Sequence, residues 1–154
     1  MAKTDAGDFG YRAVLDALMA ALAGLIDSGL VGADEAKRMA IPTVGRTRNE
    51  FTTPFAGSGS FAGLTIERAE IFLGEDRIYE EFEQTGDSQA FAARWAAFVR
   101  ASTFPTLALG LDGGASDARV PEFYRQMEAR MAARLAAAPE RTTIPLAKIM
   151  LVKA

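Results

Sequence analysis

The stretch QAFAARWAAFVRASTFPTLAL, Gln89 to Leu109, constrains the fold more than any other part of the chain. Phe91, Trp95, Phe98, Val99 and Ser102 recur at the spacing of one α-helical stripe, and the single tryptophan of the sequence lies in it. Pro105 predicts a kink or an end to that helix. A helix this apolar has to lie against a sheet or other helices, so the remaining segments are read as its surroundings.

Phe9 to Ile26 carries a helical pattern, with Val14, Leu15, Leu18, Leu22, Leu25 and Ile26 on one broad face. Asp8 is its expected N-cap and Gly29 its expected C-cap. A short helical turn is expected over Ala33 to Met39, stopped by Ile41-Pro42. Residues 43–60 are largely irregular, apart from a short helix near Arg48 to Phe55 capped by Thr47 with Glu50 as capping-box partner. The GSGS of residues 57–60 reads as a turn, since a phosphate-loop pattern is lacking and a strand follows it. Phe61 to Leu73 is expected to be a strand whose apolar residues change phase, which predicts a bulge near Glu67 or Arg68.

Gly74 to Ser88 is acidic without metal-loop spacing and reads as a solvated loop, after which Asp87 or Ser88 caps the tryptophan helix. GLDGGASDAR is a loop, and Pro121 opens a last helix with Phe123, Met127, Met131 and Leu135 as its apolar stripe. Thr143 to Val152 is a second strand, also with a slip of phase, and Pro145 argues for an edge position.

A length of 154 residues suits one domain, and 49% hydrophobic residues suffice for a core. There is no cysteine and no histidine, so disulfides, thiolate nucleophiles, catalytic histidines and Cys- or His-bound metals are excluded. A net charge of −3 argues against a nucleic-acid surface. No apolar run reaches the roughly 18 residues that span a bilayer, and the polar N-terminus lacks a secretory pattern, so no membrane partner and a cytoplasmic location are expected.

Two convincing strands make a marginal sheet. The elements therefore imply a missing complement: either a second copy, giving a homodimer, or the rest of a larger α/β fold.

Three patterns carry a resemblance: DSGLVGADEAKRMAIPTV at residues 27–44, GSFAGLTIERAEIF at 59–72 and FVRASTFPTL at 98–107. In this order the chain resembles the C-terminal half of the plant-type carboxyl methyltransferases, the salicylate, jasmonate and caffeine-pathway enzymes with their bacterial relatives. The likeness extends from about Asp8 to Val152 and includes VPEFYRQMEARMAARL and TTIPLAKIMLV near the end. It implies an α/β fold, α+β within this fragment: an antiparallel strand pair with a helical cap from a Rossmann-like methyltransferase. As a single domain or fragment over 1–154, the cap elements fall at 9–55 and 88–138, and the strands at about 61–73 and 143–152.

The family uses S-adenosylmethionine to methylate small-molecule carboxylates or ring nitrogens. Its cofactor is held by an N-terminal half with an acidic Gly-rich loop, and no [DE]xGxG pattern occurs here. Phe104 stands where the family usually has an acidic residue before the proline. The resemblance therefore implies a substrate-capping region that binds no cofactor and is inactive alone; the alternative is a non-enzymatic homodimeric binding module of the same fold. It assigns the substrate pocket to Tyr11, Val14, Leu15, Trp95, Val99, Ser102, Thr103 and Thr143, with no catalytic, cofactor or metal residue. Read as residues alone, Val14, Leu15, Trp95 and Val99 also suit a plain core, Tyr11 and Thr143 suit half-exposed surface, and Ser102 suits a bond back to its own helix. Arg100 suits an ion pair better than a carboxylate site.

Overall fold

A computed structural model of the chain describes residues 1–4 and 6–153. The fold mixes helix and sheet in the order α1 (Arg12–Asp27), α2 (Ala33–Arg38), α3 (Arg48–Thr52), β1 (Leu64–Gly74), α4 (Arg77–Thr85), α5 (Ser88–Ser102), α6 (Phe104–Ala108), α7 (Val120–Ala137) and β2 (Ile144–Lys153). These elements form two compact units. One joins Met1–Tyr11, Thr43–Asp76 and Thr143–Ala154; the other joins Arg12–Pro42 and Arg77–Thr142. α3, grouped with the helical elements in the sequence, thus clusters with the strands.

In the helical unit, α7 packs against both α5 and α1. Phe123, Met127, Met131 and Leu135 of α7 are all buried, as their spacing predicts. α5 begins at Asp87, whose side chain accepts the Ala90 N–H at 2.9 Å, and Pro105 starts the separate helix α6. The buried stripe of α5 is Phe91, Ala92, Trp95, Ala96 and Val99. Two expected members of it are corrected: Phe98 is 49% exposed and Ser102 is exposed. Ala92 and Ala96, one position along, are fully buried in their place, so the buried stripe is rotated from the expected one. Trp95 is only 3% exposed.

α1 starts later than Phe9. Gly10 and Tyr11 both have positive φ, 74° and 57°, which helical backbone excludes, and Asp8 turns its carboxylate onto the Gly10 N–H at 3.0 Å instead of capping a helix. At the other end, Gly29 has φ 75°, its N–H bonds to Ile26 O at 2.9 Å and the Leu30 N–H to Leu25 O at 3.0 Å, a Schellman close. The acidic segment expected as a loop contains α4, a correction with a clear cause. Tyr79 and Phe82 stack around Phe91 with centroids 5.5–6.1 Å apart, while the acids on the outer face pair with Arg94 and Arg141.

In the strand unit, β1 and β2 form a two-stranded antiparallel sheet. The register slips between Ile66 and Arg68, so Glu67 is the bulged residue expected in the sequence. The slip returns Ile66 to the face of Ala69 and Ile71, opposite Leu151, Ile149 and Ala147. The second slip, expected in β2, is absent from the described register. Ile144, Leu146, Met150 and Val152 instead share the other face with Phe72. The Thr47–Glu50 capping box forms as predicted, with Thr47 N–H on Glu50 Oε2 at 2.7 Å.

Candidate functional site

The candidate pocket residues divide between the units. Tyr11 and Thr143 belong to the strand unit; Val14, Leu15, Trp95, Val99, Ser102 and Thr103 belong to the helical one. Within the helical unit, Val14, Trp95 and Val99 are buried at 3–4% exposure and Leu15 is half-buried. Ser102 Oγ donates back to Phe98 O at 2.8 Å, and Thr103 Oγ1 lies 3.3 Å from it. Arg100 is ion-paired with Glu128 and lies 5.5 Å from the centre of the Tyr124 ring.

Tyr11 and Thr143 do meet. The Tyr11 N–H donates to Thr143 O at 3.0 Å, and Gly10 is so close that a Cβ there would sit 2.3 Å from the same oxygen. Tyr11 lines an apolar hollow of about 560 Å³ with Phe51, Pro145, Leu146 and Ile149. Burial, and then the carboxylate of Asp76, push the Tyr11 hydroxyl above its usual pKa, so it stays protonated as a donor at neutral pH. Its left-handed backbone is strained for a bulky side chain, the kind of conformation that tends to gather at binding sites.

A second hollow of about 690 Å³ lies along β1. Phe55, Ile66 and Ala69 line it with the exposed Arg48. Arg68 and Glu70, on the same lining, neutralise one another at 2.7 Å.

A dense polar cluster around Arg119 was not legible in the sequence. The Arg119 guanidinium donates to Glu35 through Nη1 at 3.0 Å and Nη2 at 2.5 Å, and to Asp117 through Nε at 3.0 Å and Nη2 at 2.8 Å. Glu35 also accepts the N–H groups of Gly32 and Asp112, at 2.7 and 2.9 Å. Arg119 holds the Glu35 carboxyl down at about 2, helped by the Gly32 N–H, and likewise lowers that of Asp117. Both carboxylates spend their oxygens on partners within the unit, so the cluster fastens α2 to the loop before α7 and leaves little with which to hold a ligand.

Among the described residues no group of three or more acidic side chains is placed to hold a metal. No helix of the described residues is long and apolar enough to cross a membrane. No family model and no curated protein sequence matches the chain.

Proposed function

We propose that this chain is the substrate-capping region of an S-adenosylmethionine-dependent methyltransferase of the plant-type carboxyl family, acting in the cytoplasm on small-molecule carboxylates. A separate cofactor-binding part with a Rossmann-like sheet supplies the methyl donor. The observation that carries this reading is topological. β1 and β2 are neighbours in one sheet, yet the whole run from α4 to α7 lies between them in the chain. A cap inserted between two strands of a catalytic core has this chain order. The order of the three sequence patterns supports the same reading.

The chemistry fits the residues available. A carboxylate is already nucleophilic, so methyl transfer asks the protein for alignment and exclusion of water rather than for a histidine or cysteine. Tyr11 and Thr143 orient the substrate within the strand unit, and Val14, Leu15, Trp95, Val99, Ser102 and Thr103 are the helical unit's share of the assignment.

Titration of the chain with salicylate and, separately, with S-adenosylmethionine tests this, followed by amide NMR and calorimetry. The expected result is salicylate-induced shifts at Tyr11 and Thr143 with no micromolar binding of the cofactor. Micromolar cofactor binding by the chain alone, or unmoved amides at saturating salicylate, overturns it.

A further inference from the structure

The two outer edges of the ribbon differ. Among the described residues no third strand pairs with β1 or β2, and apart from the bridge of Leu64 to Phe61 each leaves an outer row of backbone N–H and C=O groups without a strand partner. On β1 that row is interrupted by the bulge at Glu67, carries Glu67, Arg68 and Glu70 within four positions, and has α3 packed against its strand. These are the features that discourage edge pairing. β2 has no bulge in its register; it carries Pro145 near its start, beside Gly10 and Tyr11, and lysines at 148 and 153. From Leu146 to Val152 its single charge is Lys148, and Leu146, Met150, Leu151 and Val152 are 41–45% exposed.

We propose that the outer edge of β2 is a self-association surface, on which β2 of a second copy of this chain pairs antiparallel about a two-fold axis. Three arguments favour this occupant. First, two-fold registers centred on Ile149 or Met150 set Lys148 against Met150 or Val152 of the other copy, so no like charges oppose one another. Second, the resulting order β1–β2–β2–β1 enlarges a marginal ribbon to four strands and brings the exposed Leu146, Met150 and Val152 of the two copies side by side, on the face that also carries Lys148. Third, the assembly closes. Each copy uses up its one open edge, and the blunted β1 edges become outermost, so growth stops at a dimer instead of continuing as a fibre.

Pro145 identifies the outward donors. It sits in the ladder opposite Leu73 without an N–H, which a strand tolerates on the side facing away from its partner. Backbone groups alternate sides along a strand, so the N–H groups of Ala147, Ile149 and Leu151 face outward with it. This inference does not depend on the methyltransferase reading.

Light scattering on the full chain between about 1 and about 100 µM, with the variant Ile149→Pro, is the test. The expected mass at high concentration is about twice the 16.5 kDa of one chain. The variant, with its helical circular dichroism and Trp95 emission intact, is expected to stay at one chain's mass. Should Ile149→Pro unfold, amide exchange of the natural chain decides. Ala147, Ile149 and Leu151 then exchange about tenfold faster on dilution while β1 does not change. A monomer at the highest concentration, a folded variant that still dimerises, or concentration-independent exchange at those three amides overturns the proposal.

Discussion

Arg119 grips both carboxylate oxygens of Glu35, a residue 84 positions earlier in the chain. The Glu35 side chain is 6% exposed and that of Arg119 36%. The pair joins α2 to the entry of α7, and Arg119 also donates to Leu30 O at 3.1 Å, at the end of α1. Removing Glu35 takes this acceptor from the N–H groups of Gly32 and Asp112, while Arg119 keeps Asp117 and Leu30 O. Glu35→Ala is expected to lower the stability of the helical unit by about 1–3 kcal/mol. Urea unfolding followed by the single tryptophan measures it, and a loss below about 0.5 kcal/mol would show the cluster to be ornamental.

The same pair predicts a pH dependence. The folded-state pKa of Glu35 is lowered from 4.5 to about 2, chiefly by the hydrogen bonds from Arg119 and then from the Gly32 N–H. A carboxyl whose folded value lies below its unfolded value stabilises fully above the unfolded value and loses that contribution as pH falls towards the folded one. Urea midpoints are expected to fall as pH drops from 4.5 towards 2, and the fall should be shallower in Glu35→Gln. Identical slopes in the two proteins would contradict the assignment.

Gly10 and Gly29 separate two roles of glycine. Both have positive φ, but a Cβ at Gly29 meets nothing within 4 Å, whereas at Gly10 it strikes Thr143 O and the Pro145 ring at 2.3 and 2.6 Å. Gly29→Ala should cost about 1 kcal/mol, the usual left-handed penalty. Gly10→Ala should cost at least about twice that and loosen the strand unit, seen as faster amide exchange at Tyr11. Equal costs would mean that the chain before α1 is not held against Thr143.

Trp95 and Ser102 lie on the same helix and are expected to respond in opposite ways. Trp95→Ala removes a side chain that is 3% exposed and should cost about 3–5 kcal/mol. Ser102→Ala removes only a bond to its own helix at Phe98 and should change stability by less than about 0.5 kcal/mol. If salicylate binding is lost in Ser102→Ala while stability is kept, the hydroxyl serves the ligand; if binding is unchanged, the residue is solvent-facing helix and nothing more.

The sequence by itself determined the local structure. The α7 stripe, the Thr47–Glu50 capping box, the Gly29 helix stop, the break at Pro105 and the bulge at Glu67 all follow from spacing and from single-residue backbone preferences, which act over a few positions. It misled where the deciding partner lay far along the chain. The acids of Gly74 to Ser88 form a helix because Phe91, Arg94 and Arg141 supply its other half, and Phe98 is exposed because Ala92 and Ala96 take its expected place in the buried stripe of α5. Only the tertiary structure decided that Glu35 and Arg119 belong together, that Tyr11 meets Thr143, and that α3 packs against β1. Each depends on which distant groups become neighbours. No periodicity encodes that, because contact energies between distant segments arise only once the chain has brought them together.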